Sequence, residues 1–244
     1  MHALDPRPRE ANGRLKKTRF FKFTRWTPKL AYAVGAYLGD GSYDRWNQSY
    51  SQMSIDKEFL DEIRLILQEV LGSLPEVKKI IDPKKYKKPI YHFGFCCKDF
   101  CEWLVSITEN KQHIPKDIPR IPGLISKSLC EGFLDAEGWV SKSSESYNKK
   151  GTFSFKCGFS CTDVDVVEAI AELLSVNGVT CHKWASKPTK NRIEYTYCIN
   201  IRSFVRSGMR FHIMRKHNKM QEYLATVSTS KWKEISSTTE RLGS

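Results

Sequence analysis

A helical phrase that occurs twice limits what this chain can fold into more than any other feature. The first copy runs Leu30-Ala-Tyr-Ala-Val-Gly-Ala-Tyr-Leu-Gly-Asp40-Gly41 and the second Leu129-Cys-Glu-Gly-Phe-Leu-Asp-Ala-Glu137-Gly138. At one constant displacement Gly35 falls on Gly132, Gly39 on Ala136, Asp40 on Glu137 and Gly41 on Gly138, with Ala31 on Ser128 one turn earlier. Each copy thus repeats a small residue at every fourth position, which predicts one continuous low ridge along each helix. Two such ridges pack closer than the usual interaxial distance of roughly 8–10 Å. An acid followed by glycine ends each ridge, so packing them in parallel brings Asp40 and Glu137 together as a candidate metal site built from two halves.

The repetition continues beyond the phrase. Thr27-Pro28 supplies an N-cap and a first-turn proline for the first helix. After Gly41 the helical period stops, and the Ser-, Tyr-, Asn- and Gln-rich run from Ser42 to Ile55 reads as a hairpin. Lys57–Leu71 carries Phe59, Leu60, Ile63, Leu67, Val70 and Leu71 at helical spacing and is closed by Gly72, an amphipathic helix. Val77–Ile81 and Ile90–Cys97 form a second hairpin around a lysine-rich turn, and Lys98–Ile107 is a further helix. The second half repeats this order with a strand Phe153–Cys161, a helix from Asp163 to Val176 ended by Gly178, and a hairpin Tyr195–Ile201 that echoes Tyr91–Cys97. Between the halves, residues 113–123 hold three prolines, which neither a helix nor a central strand tolerates. The expected organisation is a basic, aromatic N-terminal arm (1–27) that touches phosphates, a first half (28–112), a proline-rich linker (113–125) and a second half (126–244).

Composition narrows the partner. A chain of 244 residues with a net charge of +13 and no membrane-binding amphipathic segment points to a polyanion, nucleic acid before any membrane surface. No apolar run approaches the roughly 20 residues that span a bilayer, and no secretory signal opens the sequence, so a cytoplasmic protein is expected. The eight cysteines include no C-x-x-C pair and read as reduced, mostly buried small hydrophobes, not as a zinc site. His92, His182, His212 and His217 do not fall at ligand spacing and receive no catalytic role.

The phrases Gly35-x-x-Leu-Gly-Asp40-Gly41 and Gly132-Phe-Leu-Asp-Ala-Glu137-Gly138 resemble the signature of the LAGLIDADG homing endonucleases, specifically the single-chain archaeal, intron-encoded type that carries both copies. The resemblance spans about residues 28–225. It implies an α+β protein of two pseudo-symmetric α-β-β-α-β-β-α halves, each a four-stranded antiparallel sheet, together forming a DNA-binding saddle. The motif helices would form the central interface, and the last acid of each would bind divalent metal at the scissile phosphates. The implied activity is double-strand cleavage of a long, non-palindromic DNA site by a monomer, serving intron homing. The family's supporting lysines follow the third helix of a half; Lys216 stands in that place and Lys111 is its approximate counterpart, out of register by one residue. The assisting polar residue would by position be Lys57 in the first half and Asp163 in the second. Glu131 and Asp135 are extra acids on the second motif helix; they differ in helical phase from Glu137, are expected toward solvent or a basic strand, and are not assigned to the metal.

The chemistry fits these residue types. Phosphodiester hydrolysis needs a deprotonated water, neutralised phosphoryl oxygens and a stabilised leaving oxygen, all of which Mg²⁺ supplies through a few carboxylate oxygens and retained waters. Mn²⁺ would substitute, and Ca²⁺ is expected to bind without supporting cleavage. Asp40 and Glu137 are the side-chain ligands, the carbonyls of Gly39 and Ala136, free at a helix C-terminus, complete the shell, and Lys111 and Lys216 stabilise the charged transition state. For recognition, the apolar face of Phe153–Cys161 leaves Ser154, Lys156 and Ser160 toward DNA. With Met53 and Ile55 taken as inward, Gln48, Tyr50, Gln52 and Ser54 face outward on the first sheet. Lys84, Lys85, Lys87, Lys88, Lys187 and Lys190 in the turns suit phosphates. Two sheets side by side would cover roughly 60–70 Å, or about 20 base pairs. Two other readings share the scaffold: an RNA maturase that assists intron folding, and a DNA-binding regulator with dead chemistry. Position 1 is neither Cys nor Ser and the C-terminus lacks a His-Asn pair, so a free-standing protein is expected and not a splicing intein.

Overall fold

The computed structural model describes residues 21–80, 88–144, 153–189 and 192–226. In the first half the order is α1 (Pro28–Asp40), β1 (Gly41–Asp44), β2 (Ser49–Ser54), α2 (Lys57–Leu71), β3 (Lys78–Ile80), β4 (Ile90–Cys96) and α3 (Lys98–Thr108). In the second it is α4 (Leu124–Glu137), β5 (Gly138–Ser144), β6 (Phe153–Cys161), α5 (Val164–Val176), β7 (Cys181–Thr189), β8 (Arg192–Ile199), α6 (Ile201–Arg206) and α7 (Met214–Thr226). Each half builds one four-stranded antiparallel sheet, in the order β1-β2-β4-β3 and β5-β6-β8-β7. The expected α+β architecture with two such sheets is therefore the one observed.

The helix boundaries follow local chemistry. The Thr27 hydroxyl accepts from Leu30 N at 3.2 Å and Pro28 opens α1. Gly72 and Gly178 stop α2 and α5 with φ of 76° and 80°, a left-handed conformation that favours glycine. Every residue of α1 from Leu30 to Gly39 is buried, so this helix is the centre of the molecule and not a surface helix.

The two small-residue ridges meet as backbone against backbone. A β-carbon placed on Gly35 would lie 2.0 Å from the Leu129 carbonyl oxygen, and one on Gly132 would lie 2.0 Å from that of Tyr32. The same two added carbons would also lie 2.9 Å from Phe133 N and 3.0 Å from Ala36 N. Because Tyr32 and Ala36 are the repeat counterparts of Leu129 and Phe133, the contact is self-complementary about a local twofold axis. The ridge closes at its far end, where a β-carbon on Gly39 would lie 2.4 Å from that of Ala136.

A polar network fastens one flank of this seam. Asp135 is buried, and it accepts from the Tyr32 hydroxyl at 2.9 Å and from the backbone N–H groups of His212 at 2.9 Å and Ile213 at 3.3 Å. The His212 ring lies 3.2 Å from Glu62 on α2 through Nδ1 and 3.2 Å from Glu131 on α4 through Nε2. Glu131 also accepts from Arg210 N at 3.0 Å. The extra acids of the second phrase thus face neither solvent nor a basic strand; they tie α4 to α1, α2 and the approach to α7.

The arm expectation changes as well. Phe21 is buried, and with Phe23 and Trp26 it packs on Phe100 and Trp103 of the first half, at ring separations of 4.8–6.0 Å. These aromatic residues anchor the chain before α1 and are not presented to a partner, while Lys22 and Arg25 remain exposed. None of the eight cysteines is in a disulfide, and five of them are buried.

Two outcomes test this seam. Gly35→Ala should lower unfolding free energy by about 1–3 kcal/mol or more, because backbone cannot yield as a flexible side chain does. Gly123→Ala, where nothing lies within 4 Å of the added carbon, should change it by about 0.5 kcal/mol or less. Denaturant titration of both variants distinguishes a seam from a loose contact. Burial opposes the His212 charge, but hydrogen bonds to Glu131 and Glu62 and the charges of Glu62 and Asp135 win, raising its pKa from 6.5 to about 10. A raised folded pKa means that this stabilisation is complete below about pH 6.5 and is lost as pH climbs through about 10. The stability difference between the wild type and His212→Gln should therefore be largest at pH 6 and shrink steadily toward pH 10, read from denaturant midpoints.

Candidate active site at the end of the helix seam

Asp40 and Glu137 are the last residues of α1 and α4 and emerge together where the ridges close. The Cγ of Glu137 would lie 3.0 Å from a β-carbon on Gly39, the residue before Asp40. Burial pushes the Glu137 carboxyl up to about 7, and the negative charge of Asp40 adds to the rise, against Lys111 and Lys216. The surrounding protein also raises the Asp40 carboxyl, opposed by the same two lysines, although its side chain still reaches water. Two acids at helix C-termini are held against each other's charge and against the negative ends of two macrodipoles. That arrangement stabilises neither acid, and a cation placed between them would relieve both.

Each lysine grips the end of a motif helix. Lys111 Nζ donates to the carbonyls of Gly39 and Gly41, the latter at 2.9 Å. Lys216 Nζ donates to Leu134 at 3.0 Å, Asp135 at 2.6 Å and Ala136 at 3.4 Å. The Gly39 and Ala136 carbonyls are therefore not free, contrary to the expectation from the sequence. Lysine ammonium groups satisfy the orphan acceptors of both helix ends. Burial lowers both lysines, Lys216 to about 8, despite nearby carboxylates. Lys216 sits on the first turn of α7, whereas Lys111 follows α3 on three successive left-handed residues, Glu109, Asn110 and Lys111, with φ of 48°, 57° and 71°. Such a run is strained for side-chain-bearing residues and is what swings Lys111 back to α1.

The lysines cross the seam electrostatically. Lys216 belongs to the second half and senses Asp40 and Asp56 of the first; Lys111 belongs to the first and senses Glu137 and Asp163 of the second. Asp163 caps α5 by accepting from Val166 N at 3.2 Å. Its counterpart is Asp56, the residue before α2, and not Lys57, which pairs with Asp61 on its own helix at 2.5 Å. Beside Asp40 and Lys216 opens a cleft of about 330 Å³, bordered also by Met53, Ile90 and Ala136.

The sheet faces agree with expectation in the second half and reverse it in the first. Lys156 is exposed and Ser160 partly exposed, opposite the buried Cys157 and Phe159. On β2, however, Tyr50 and Gln52 are buried against the helices and Met53 is exposed. The Tyr50 hydroxyl donates to the Gln52 side chain, whose amide donates to Ala36 O at 3.1 Å. Ser54 shares that inner face and accepts from Asp56 N at 3.1 Å. Gln48 lies in the turn between β1 and β2 with φ of 48°. Gly41 pairs with Gln52 and Gly138 with Phe159, so Gln52 matches the buried Phe159 and Ser54 matches Cys161, and taking Met53 and Ile55 as inward reverses the face. The outer face of the first sheet instead carries Ser42, Ser51, Met53 and His92. Lys88 is exposed; Lys187 belongs to β7 and not to a turn; Lys84, Lys85, Lys87 and Lys190, with the side chains of Ser154 and Lys187, lie outside the described residues.

Sequence reasoning missed two outer-face aromatic residues of the second sheet. Lys156 Nζ sits 4.7 Å over the ring of Trp184, and the Trp139 ring lies against Gly158, where a β-carbon would meet it at 2.7 Å. The pairing of Trp139 with Gly158, a large residue opposite none, was the available signal.

Among the described residues no three His, Cys, Asp or Glu side chains cluster as a metal cage, and no helix is long and apolar enough to cross a membrane. No protein-family model matches the sequence, and no curated protein is similar to it. Solved structures are similar in fold. A variant of the homing endonuclease I-DmoI, in complex with its target DNA and manganese, has a TM-score of 0.51 over 76% of this chain and 96% of its own, at 13% identity. I-DmoI in complex with DNA and calcium has a TM-score of 0.50 over 76% of this chain and 91% of its own, at 14% identity. The LAGLIDADG homing endonuclease I-GzeII, in complex with its DNA target, covers 88% of this chain and 98% of its own at 12% identity, with a TM-score of 0.46. The two sheets flanking a helical seam are thus the fold of I-DmoI.

Proposed function

We propose that this protein is a site-specific DNA endonuclease of the LAGLIDADG type, a monomer that makes double-strand breaks at a non-palindromic site of about 20 base pairs and serves intron homing. The observation that carries the reading is the pair of carboxylates Asp40 and Glu137, one from each half, that emerge side by side from a backbone-packed seam, with the half-buried Lys111 and the buried Lys216 gripping the two helix ends. The net charge of +13 and the exposed Lys156 supply the attraction for a polyanion. I-DmoI was solved on DNA, as a variant in the presence of manganese and in a complex with DNA and calcium.

The donor set suits a hard divalent ion. Asp40 and Glu137 offer carboxylate oxygens, and the Gly39 and Ala136 carbonyls would join them only if Lys111 and Lys216 shifted. Mg²⁺ or Mn²⁺ held there would lower the pKa of a bound water and neutralise phosphoryl oxygens. The chain's own residues do the rest. Lys111 and Lys216, held rigidly by helix-end carbonyls, place two positive charges beside the carboxylates, where charge develops on a phosphate. Burial of Lys216 and partial burial of Lys111 and Glu137 limit water around these charges and strengthen their interactions, while Asp40 stays open to solvent.

Incubation of the full chain with duplexes of about 30 random base pairs, longer than the proposed site, provides the test. A restricted, asymmetric family of sequences should be cut on both strands with Mg²⁺ or Mn²⁺, and retained uncut with Ca²⁺. Absence of any cut duplex with either metal would sink the nuclease reading, and RNA bound in preference to duplex would favour a maturase. On a selected duplex, Asp40→Asn and Glu137→Gln should each slow cleavage by about a hundredfold or more while leaving DNA affinity almost intact. Normal rates from either variant would remove these residues from the site. Lys216→Met should slow single-turnover cleavage by roughly tenfold to a hundredfold, with gel-shift affinity as the control.

A further inference from the structure

Asp56 and Asp163 are counterparts in the two halves, each the residue immediately before the second helix of its half. They spend their carboxylates differently. Asp163 caps its own helix through Val166 N, the ordinary use of an aspartate at this position. Asp56 makes no side-chain cap bond to α2. Its two oxygens accept instead from Arg215 Nε at 3.1 Å and from an Arg215 terminal nitrogen at 2.8 Å, across the seam and 159 residues along the chain. The Asp56 side chain is only 11% exposed and that of Arg215 is 46% exposed, so this planar two-bond pair is anchored on its carboxylate side.

Arg215 immediately precedes Lys216 on the first turn of α7. That turn is pivoted on the second half, because Asp135 accepts the N–H groups of His212 and Ile213 just ahead of it. Further along, α7 is held to the second half by Lys219 Nζ on the Val140 carbonyl at 3.2 Å and by the Tyr223 ring against Phe155. The Asp56–Arg215 pair fixes the first turn of the same helix to the first half. Asp56, Arg215, Asp40 and Lys216 all border one cleft. The other lysine is aimed differently: Asn110 precedes it, and a left-handed backbone run turns Lys111 toward α1.

We propose that Asp56 is a positioning residue: by gripping Arg215 it holds the first turn of α7 to the first half and so delivers Lys216 to Asp40. The proposal rests on the endonuclease reading for its consequence in cleavage, but not for its geometry. Asp56 touches no reacting group; it acts through Arg215 on Lys216. Disturbing it should affect the rate of the chemical step and not the grip on DNA.

The experiment compares the full-length wild type with Asp56→Asn, Asp56→Arg and the exchanged pair Asp56→Arg with Arg215→Asp. Asparagine is isosteric and competent to cap α2, so thermal melting should show Asp56→Asn folded. On a duplex selected as above, Asp56→Asn should cut between roughly tenfold and a hundredfold more slowly in a single turnover. Its Kd for that duplex should stay within about twofold, the split expected when an interaction acts only in the transition state. The exchanged pair should recover most of the rate lost in Asp56→Arg. A wild-type rate in Asp56→Asn, or an exchanged pair no faster than Asp56→Arg, overturns the proposal. Amide hydrogen exchange over residues 211–217 gives a readout without cleavage: faster exchange in Asp56→Asn and recovery in the exchanged pair support it, and unchanged exchange overturns it. Should the wild type cut no duplex, the endonuclease reading alone fails and the exchange decides the positioning.

Discussion

Two helix backbones, α1 and α4, touch at Gly35 and Gly132 with no room for a methyl group between them, and the site exists because of that contact. Side chains larger than alanine anywhere along the ridges would hold the helix axes apart and with them the residues at their ends. The contact is self-complementary, so it fixes position, tilt and rotation together. A shift that relieved Gly35 would press on Gly132. Asp40 and Glu137 are carried at the ends of these two rods, one residue beyond the last small pair, Gly39 and Ala136. Their separation is therefore set by backbone packing deep in the core and not by flexible loops, which is the condition for a site that must present two carboxylates at constant spacing.

The electrostatics of the seam are unfavourable without partners. Helix C-termini carry partial negative charge and unsatisfied carbonyls, and acids there are worse placed than at an N-terminus. Two such ends side by side, each with an acid, repel. Lys111 and Lys216 answer the carbonyls, and by doing so they also shield the acids. The result is a compact group of two acids and two amines in which burial opposes the charge on every member. A purely structural seam gains nothing from such a group, since apolar residues at the same four positions would pack without the desolvation cost. The four charges are retained where they weaken the fold, which is the physical sense in which they look functional.

Much of this was legible in the sequence, and the exceptions have specific causes. The order of elements, the N-cap at Thr27, the glycine stops and the ridge contact all follow from local rules that the repeat states twice. The inner face of β2 did not, because Tyr50, Gln52 and Ser54 alternate with Ser49, Ser51 and Met53, and neither set is decisively apolar. Met53 and Ile55 looked like the core-facing members. The buried set is the more polar one, made tolerable by the chain of hydrogen bonds from Tyr50 through Gln52 to Ala36 O. Aligning Asp56 with Asp163, the residues immediately before α2 and α5, gives the correct register. The roles of Asp135 and His212 were beyond reach for a different reason: Tyr32 lies 103 residues from Asp135, Glu62 lies farther still from His212, and no periodicity links them.

Duplication made the halves equivalent, and the polar residues around the seam have since made them unequal. The backbone contact keeps its symmetry: a β-carbon on either Gly35 or Gly132 would meet the matched carbonyl oxygen at the same 2.0 Å. The lysines keep theirs in function only, one on a regular helix and one on a left-handed run. Asp56 and Asp163 keep theirs in position only. Symmetry survives where steric constraint is absolute and lapses where several side-chain solutions serve one end. A glycine pressed on a carbonyl has no alternative, whereas an ammonium group has several routes to a helix end. The site therefore combines a rigid, symmetric pair of carboxylates with two differently supported amines, and it is in that support that the two halves differ chemically.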